Sequence, residues 1–216
     1  MARMNSQSRS SQTRQALLDA ARQLLIEQGY ARLAETRVCD RAGVSRGALR
    51  YHFPEGLLDL LPALLDELID IEGGKIDPAG LFNPRERMYL ALYGLAHAQG
   101  QTDSLAVLEL WMAARGDERL AERLNPIMDS ADRRIFGFAP DAPFEPDLLA
   151  WRLMLHGASL HVFSLDYDRA KLTAALQWVL KQWPMPESLQ QKLAARRAEA
   201  TASASSESTP NTADAG

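Results

Sequence analysis

The run Val38-Cys39-Asp40-Arg41-Ala42-Gly43-Val44-Ser45-Arg46-Gly47-Ala48-Leu49-Arg50-Tyr51-His52-Phe53 leaves few ways for this chain to fold. Cys39 is small and lets two helices approach. Gly43 can take the left-handed conformation that stops a first helix. Val44 plugs the turn, and Ser45 is a good N-cap for a second helix. Val38, Ala42, Val44 and Leu49 supply an apolar interior. The second helix then turns Arg46, Gly47, Ala48 and Arg50 outward, as a helix reading a DNA major groove would. An ordinary corner in a helical bundle also needs a glycine, a cap and apolar residues.

The charge distribution separates these readings. The 216 residues carry a formal net charge of -4. Yet residues 1–53 hold nine Arg against four acids (Asp19, Glu27, Glu35 and Asp40), and residues 54–186 hold twelve Lys or Arg against twenty Asp or Glu. The basic end coincides with the motif, which is the electrostatic footprint of a nucleic-acid reader. One cysteine permits no intrachain disulfide and fits a reducing cytoplasm. No apolar run is long enough for a membrane span, and the N-terminus carries no secretion-signal core, so neither a membrane partner nor export is expected.

From Thr13 through Phe53 the chain resembles the DNA-binding domain of the tetracycline-repressor (TetR) family. The matching pieces are Ala16-Leu17-Leu18-Asp19-Ala20-Ala21 continuing to Leu24, then Gly29-Tyr30, Ala42-Gly43-Val44-Ser45-Arg46-Gly47, Leu49 and His52-Phe53. The stretch Leu108 to Asp117 resembles, more weakly, the middle of the family's ligand-binding domain. The resemblance implies a homodimeric one-component regulator, a repressor that leaves operator DNA when a small molecule binds its C-terminal domain. The chain departs from the family pattern at three positions. Ala34 replaces a capping Thr or Ser, Arg50 replaces a Tyr, and Gly56 replaces a phosphate-contacting Lys.

Periodicity organises the remainder as an all-α protein. Residues 1–11 read as a disordered arm, 12–55 as the three-helix helix-turn-helix domain, 56–186 as a larger ligand-binding and dimerisation domain, and 187–216 as a flexible tail. The expected helices run over about 13–28, from Pro54-Glu55 towards Gly73-Gly74 with Pro62 bending it, then about 84–99, 103–115, 117–136, 146–165 and 168–183. An exposed helix over 188–199 precedes a tail over 200–216 too poor in bulky side chains to order itself. Leu148, Trp151, Leu155, Ala158 and Val162 make one apolar face of the penultimate long helix, and Leu149, Leu153, Leu160 and Phe163 another. The resemblance implies that the first face, with Leu176, Val179 and Leu180 of the next helix, forms half of a four-helix bundle across a dimer axis; a purely internal helix pair is the alternative.

Nothing in the sequence calls for a cofactor, a metal or an enzyme active site. Phosphate-loop, HExxH, CxxC and GxSxG motifs are missing. His156 and His161 diverge by about 140° on a helix and pair poorly as ligands. The expected effector is therefore apolar or aromatic, lined by Met88, Leu92, Leu108, Trp111, Met112, Met128, Trp151 and Met154, since Met and aromatic side chains form adaptable pockets. Plain core packing explains the same residue types. The expected contacts to double-stranded operator DNA are Arg37, Ser45, Arg46, Gly47, Ala48, Arg50, Tyr51 and His52. The rival is a dimeric helical interaction protein that has lost DNA binding; a helical enzyme would need a polar constellation that the sequence lacks.

Overall fold

Glycines, prolines and caps set where the helices of this chain begin and end. A computed structural model describes residues 2–97 and 103–207, with side chains over 9–97 and 103–199. In chain order the helices are α1 (Ala2–Gln28), a 3-10 turn at Tyr30–Arg32, α2 (Glu35–Ala42), α3 (Arg46–His52), α4 (Leu57–Ile76), α5 (Pro84–His97) and α6 (Asp103–Ala114). They continue with α7 (Glu118–Phe136), α8 (Pro146–Leu160), a 3-10 turn at His161–Phe163, α9 (Arg169–Gln182) and α10 (Glu187–Glu207). The described residues contain no strand.

The caps follow the sequence. Asp117 Oδ1 accepts the Leu120 N–H at 3.1 Å to start α7, and Asp168 Oδ1 accepts the Ala170 N–H at 2.8 Å to start α9. Asn83 and Glu86 form a reciprocal capping box on α5, with Pro84 at the first helical position: the Asn83 N–H donates to Glu86 Oε2 at 2.8 Å and the Glu86 N–H to Asn83 Oδ1 at 2.9 Å.

Two apolar cores form among the described residues. The first joins α1, α2 and α3 to α4, α6 and α7, running from Leu17 and Leu49 through Leu64 and Leu68 to Leu110 and Leu124. The second joins α5, α8, α9 and α10 around Met88, Leu92, Trp151, Leu176 and Leu189. Gly73 permits a close join. A Cβ there would stand 2.7 Å from the Arg134 carbonyl oxygen, so α4 and α7 meet backbone to backbone.

The structure departs from the sequence reading at several ends. α1 starts at Ala2, although residues 1–11 are expected to lack order; polar composition alone does not stop a helix anchored by Leu17, Leu18, Leu24 and Leu25 from extending backwards. Pro54 to Gly56 form a turn, and α4 begins only at Leu57 because Gly56 takes φ +64°. Helix α4 also continues past Gly73-Gly74 to Ile76. The beginning of the expected flexible tail is anchored: Leu189 is fully buried, Ser188 Oγ donates to Glu86 Oε1 at 2.6 Å, and Lys192 Nζ donates to Glu86 Oε2 at 2.7 Å. Expectations for residues 98–99 and for 208–216 fall outside the described residues.

Candidate nucleic-acid interface

The turn between α2 and α3 is built as its residues dictate. Gly43 takes φ +67°, its N–H bonds the Asp40 carbonyl at 3.3 Å, and the Val44 N–H reaches back to Cys39 O at 3.1 Å. These two bonds close a Schellman-type stop. Ser45 then caps α3, its Oγ accepting the Ala48 N–H at 3.1 Å. Leu49 is fully buried and ties α3 to the first core. Burial also pushes the Cys39 thiol up, with Glu35 adding to the effect, which fits a packing residue.

The outer face of α3 is open. Tyr51 is 78% exposed, its ring edge-on to His52 at 5.1 Å between centroids. Ser45, Arg46 and Gly47 are exposed, and Ala48 and His52 are half-buried beside them. A Cβ on Gly47 would meet nothing nearer than Ser45 Oγ at 3.7 Å, so the fold itself does not require glycine there. Of the eight expected DNA contacts, Arg37 and Arg50 have their guanidinia turned to partners within the chain. Arg37 donates to the Arg32 carbonyl at 2.9 Å and also to Gln28 Oε1. Arg50 donates to Glu35 Oε1 at 2.7 Å and to the Pro54 carbonyl at 2.8 Å. Sequence reasoning missed Glu35 and the seat that Gly56 leaves for it. The signal was there in the paired departures at Arg50 and Gly56.

Residues 17–58 match the family described as bacterial regulatory proteins, tetR family. An uncharacterised HTH-type transcriptional regulator of Mycobacterium tuberculosis is 33% identical over 139 residues, covering 63% of this chain and 71% of the relative. This chain belongs to the TetR family.

Solved TetR-type structures share its fold. A TetR-family transcriptional regulator from Rhodococcus superposes with a TM-score of 0.59 at 22% identity, over 78% of this chain and 97% of that one. The multidrug-binding protein EbrR, solved with ethidium, superposes with a TM-score of 0.54 at 23% identity, over 76% and 96%. The chain is thus a TetR-family transcriptional regulator rather than an enzyme. Among the described residues no helix is long and apolar enough to cross a membrane, and no group of His, Cys, Asp and Glu could hold a metal ion.

The body of this TetR-family chain does not gather all the expected effector residues. Met88, Leu92, Trp151 and Met154 come together in the second core. Leu108 is buried on α6, whereas Met128 packs against the first core. Trp111 and Met112 are exposed, because they follow the buried face of α6 by one and two positions. Trp111 faces His156 at 5.8 Å between ring centroids. Burial first, and Arg152 second, hold the His156 imidazole below its usual value, against an opposing pull from Asp132. The rings that sequence reasoning overlooked are Tyr89 and Trp183, 6.4 and 5.5 Å from Trp151. Trp151 is 3% exposed, and its indole Nε1–H donates to nothing.

The expected dimer residues also divide. Leu148, Trp151 and Leu176 are buried in the chain's own core and offer no surface to a second copy. Leu155, Ala158, Val162, Val179 and Leu180 are half-buried. The large apolar side chains left outside on this part of the chain include Leu153, Phe163, Leu165 and Trp178. Two apolar faces on one helix were legible; which one turns inward depends on the neighbouring helices, and periodicity does not encode that.

Proposed function

We propose that this TetR-family chain is a cytoplasmic homodimeric repressor that leaves operator DNA when a small apolar or aromatic molecule binds its helical body. The observation that carries the reading is the continuous first core. Leu49 of α3 belongs to the same packed cluster as Leu110 of α6 and Leu124 of α7. Close-packed interiors transmit displacement instead of absorbing it, so a shift of α6 or α7 reaches the recognition helix, and Ile135 of α7, packed against both cores, is where the second core adjoins the first. The outward face of Ser45, Arg46, Gly47, Ala48, Tyr51 and His52 would enter the major groove.

The effector reading centres on Trp151. A buried donor without a partner is costly, and a ligand that supplies an acceptor removes that cost. Tyr89 and Trp183 lie against it, and Met88 and Met154 belong to the same apolar core. Planar molecules bearing an acceptor atom suit that lining, and EbrR accommodates one planar aromatic ligand within the same fold. Release of DNA requires that the molecule bind the non-binding conformation better; tenfold weaker DNA affinity corresponds to about 1.4 kcal/mol of coupling.

The decisive experiment starts with the purified protein and a random-sequence DNA pool. Enrichment of a defined fragment, followed by lowered reporter expression from a promoter carrying it, is the expected result. Raised expression would make the chain an activator. Recovery of no fragment would favour a dimeric interaction protein, the reading to which the inward-turned Arg37 and Arg50 lend weight. Thermal shifts with quinoline and naphthalene then test the effector site. Quinoline should stabilise the wild type more, and Trp151→Phe should erase the difference while leaving the fold intact.

A further inference from the structure

Glu35 stands where the three departures from the family pattern meet. It is the first residue of α2, directly after Ala34, which provides no capping side chain. Its carboxylate accepts Arg50 Nη2 through Oε1 at 2.7 Å, and Arg46 Nη2 lies 3.8 Å from Oε2. Oε2 is buried and accepts no hydrogen bond. Gly56, at φ +64°, leaves the space for this carboxylate: a Cβ there would lie 1.9 Å from Glu35 Oε1 and 3.1 Å from Arg50 Cζ. Any side chain at 56 would evict Glu35 from its seat. The other guanidinium nitrogen of Arg50 closes the arrangement on Pro54 O at 2.8 Å. One carboxylate thus links α2, α3 and the entry to α4.

We propose that Glu35 is a specificity-determining residue of the DNA interface. It fixes Arg50 as an internal brace and holds Arg46 in reserve. Phosphates of arbitrary DNA must then compete with a seated carboxylate for both guanidinia. A base edge that offers two acceptors to a guanidinium, as guanine does, competes better than a single phosphate oxygen. Non-specific affinity is suppressed more than cognate affinity. Arg50 in this arrangement is a positioning residue and touches no DNA. The inference rests on the DNA-binding reading above.

The test uses the full chain, the fragment enriched by the wild type, and a short duplex of scrambled sequence, with Kd measured across a salt series. Glu35→Gln keeps the size and removes the charge. It should tighten binding to the scrambled duplex several-fold, steepen its salt slope by about 0.9 for each arginine released, and shrink the ratio between the two DNAs. Arg50→Met should lower Tm while leaving both salt slopes as in the wild type. A slope flattened by about 0.9 in Arg50→Met would identify a phosphate contact and overturn the proposal. Unchanged or weakened scrambled-duplex binding by a folded Glu35→Gln overturns it equally. Should Glu35→Gln fail to fold, the Arg50→Met slopes alone decide. A wild type that retains neither DNA removes the DNA-binding reading itself, a result distinct from binding with unaltered slopes.

Discussion

The Glu109 carboxylate on α6 accepts the backbone N–H of Tyr30 at 2.9 Å. That bond crosses from the helical body to the turn that precedes α2. Gly29 permits the approach, since it takes φ +75° and a Cβ there would already touch Glu109 Oε2 at 3.4 Å. A second tie lies nearby, where Arg22 of α1 pairs with the buried Asp103 at the start of α6 at 2.5 Å, and Lys75 of α4 pairs with the same carboxylate.

Glu109→Ala leaves the Tyr30 N–H without its acceptor. We expect a loss of about 1.5 kcal/mol in urea unfolding, the scale of a hydrogen bond to a charged group. Glu109→Gln keeps an acceptor at the same reach and should lose less than half as much. Equal losses in the two variants would mean that charge, and not this bond, matters at the position.

Gly47 tests the outward face of α3. Because a Cβ there meets only Ser45 Oγ at 3.7 Å, Gly47→Ala should fold normally and gain up to about 0.5 kcal/mol from helix propensity. If the helix backbone lies close to DNA, affinity for the enriched fragment should fall about tenfold, roughly 1.4 kcal/mol. Full DNA affinity in this variant would move the contact surface off the start of α3.

The dimer reading predicts different outcomes for outward and inward residues. Leu153→Glu with Trp178→Glu should give folded monomers in light scattering, because both side chains are more than half exposed in the single chain. Leu148→Glu should instead unfold the protein, since it puts an unpaired charge into the second core. A wild type that is monomeric at micromolar concentration rules out the dimer.

Glu86 sets an acid limit on α10. Burial raises the affinity of its carboxyl for a proton, but Lys192, Ser188 and the Asn83 N–H together hold it below the ordinary value of 4.5. A carboxylate depressed in the folded state contributes stability above its unfolded value, and that contribution is lost as pH falls through the folded one. Glu86→Gln should therefore be less stable than the wild type at pH 7, with the gap closing as the solution is acidified. Limited proteolysis at neutral pH should cut Glu86→Gln first within α10. A gap that persists unchanged at low pH would point to lost packing instead.

Local signals were the legible ones. Gly43 and Ser45 each act through bonds to residues within five positions, so the sequence around them contains all that is needed to place the turn. The brace at Glu35 joins residues 15 positions apart, and Glu109 meets Tyr30 across 79. Pairings at that range depend on how the helices pack, and no local pattern specifies it. The same limit explains Leu148 and Trp151. Their spacing marks a helix face, but only the presence of α5 and α9 on that side makes the face internal. The start of α4 was misplaced for a different reason. Pro54 and Glu55 carry the chemistry of a helix entrance, yet Gly56 takes a positive φ beside the Glu35 carboxylate, and the helix starts only after it.

Gly73 gives the molecule a stiff joint. Most helix pairs are separated by a layer of side chains that can change rotamer and absorb small displacements. At one point of the α4–α7 crossing that layer is missing, since Gly73 lies directly against the Arg134 carbonyl. Arg134 also pairs with Asp66 and Asp70 of α4, both at 2.6 Å, on the same side. A displacement of α7 therefore has little slack to take up before it reaches α4, whose first turn follows Gly56 and the seat of the Glu35 carboxylate.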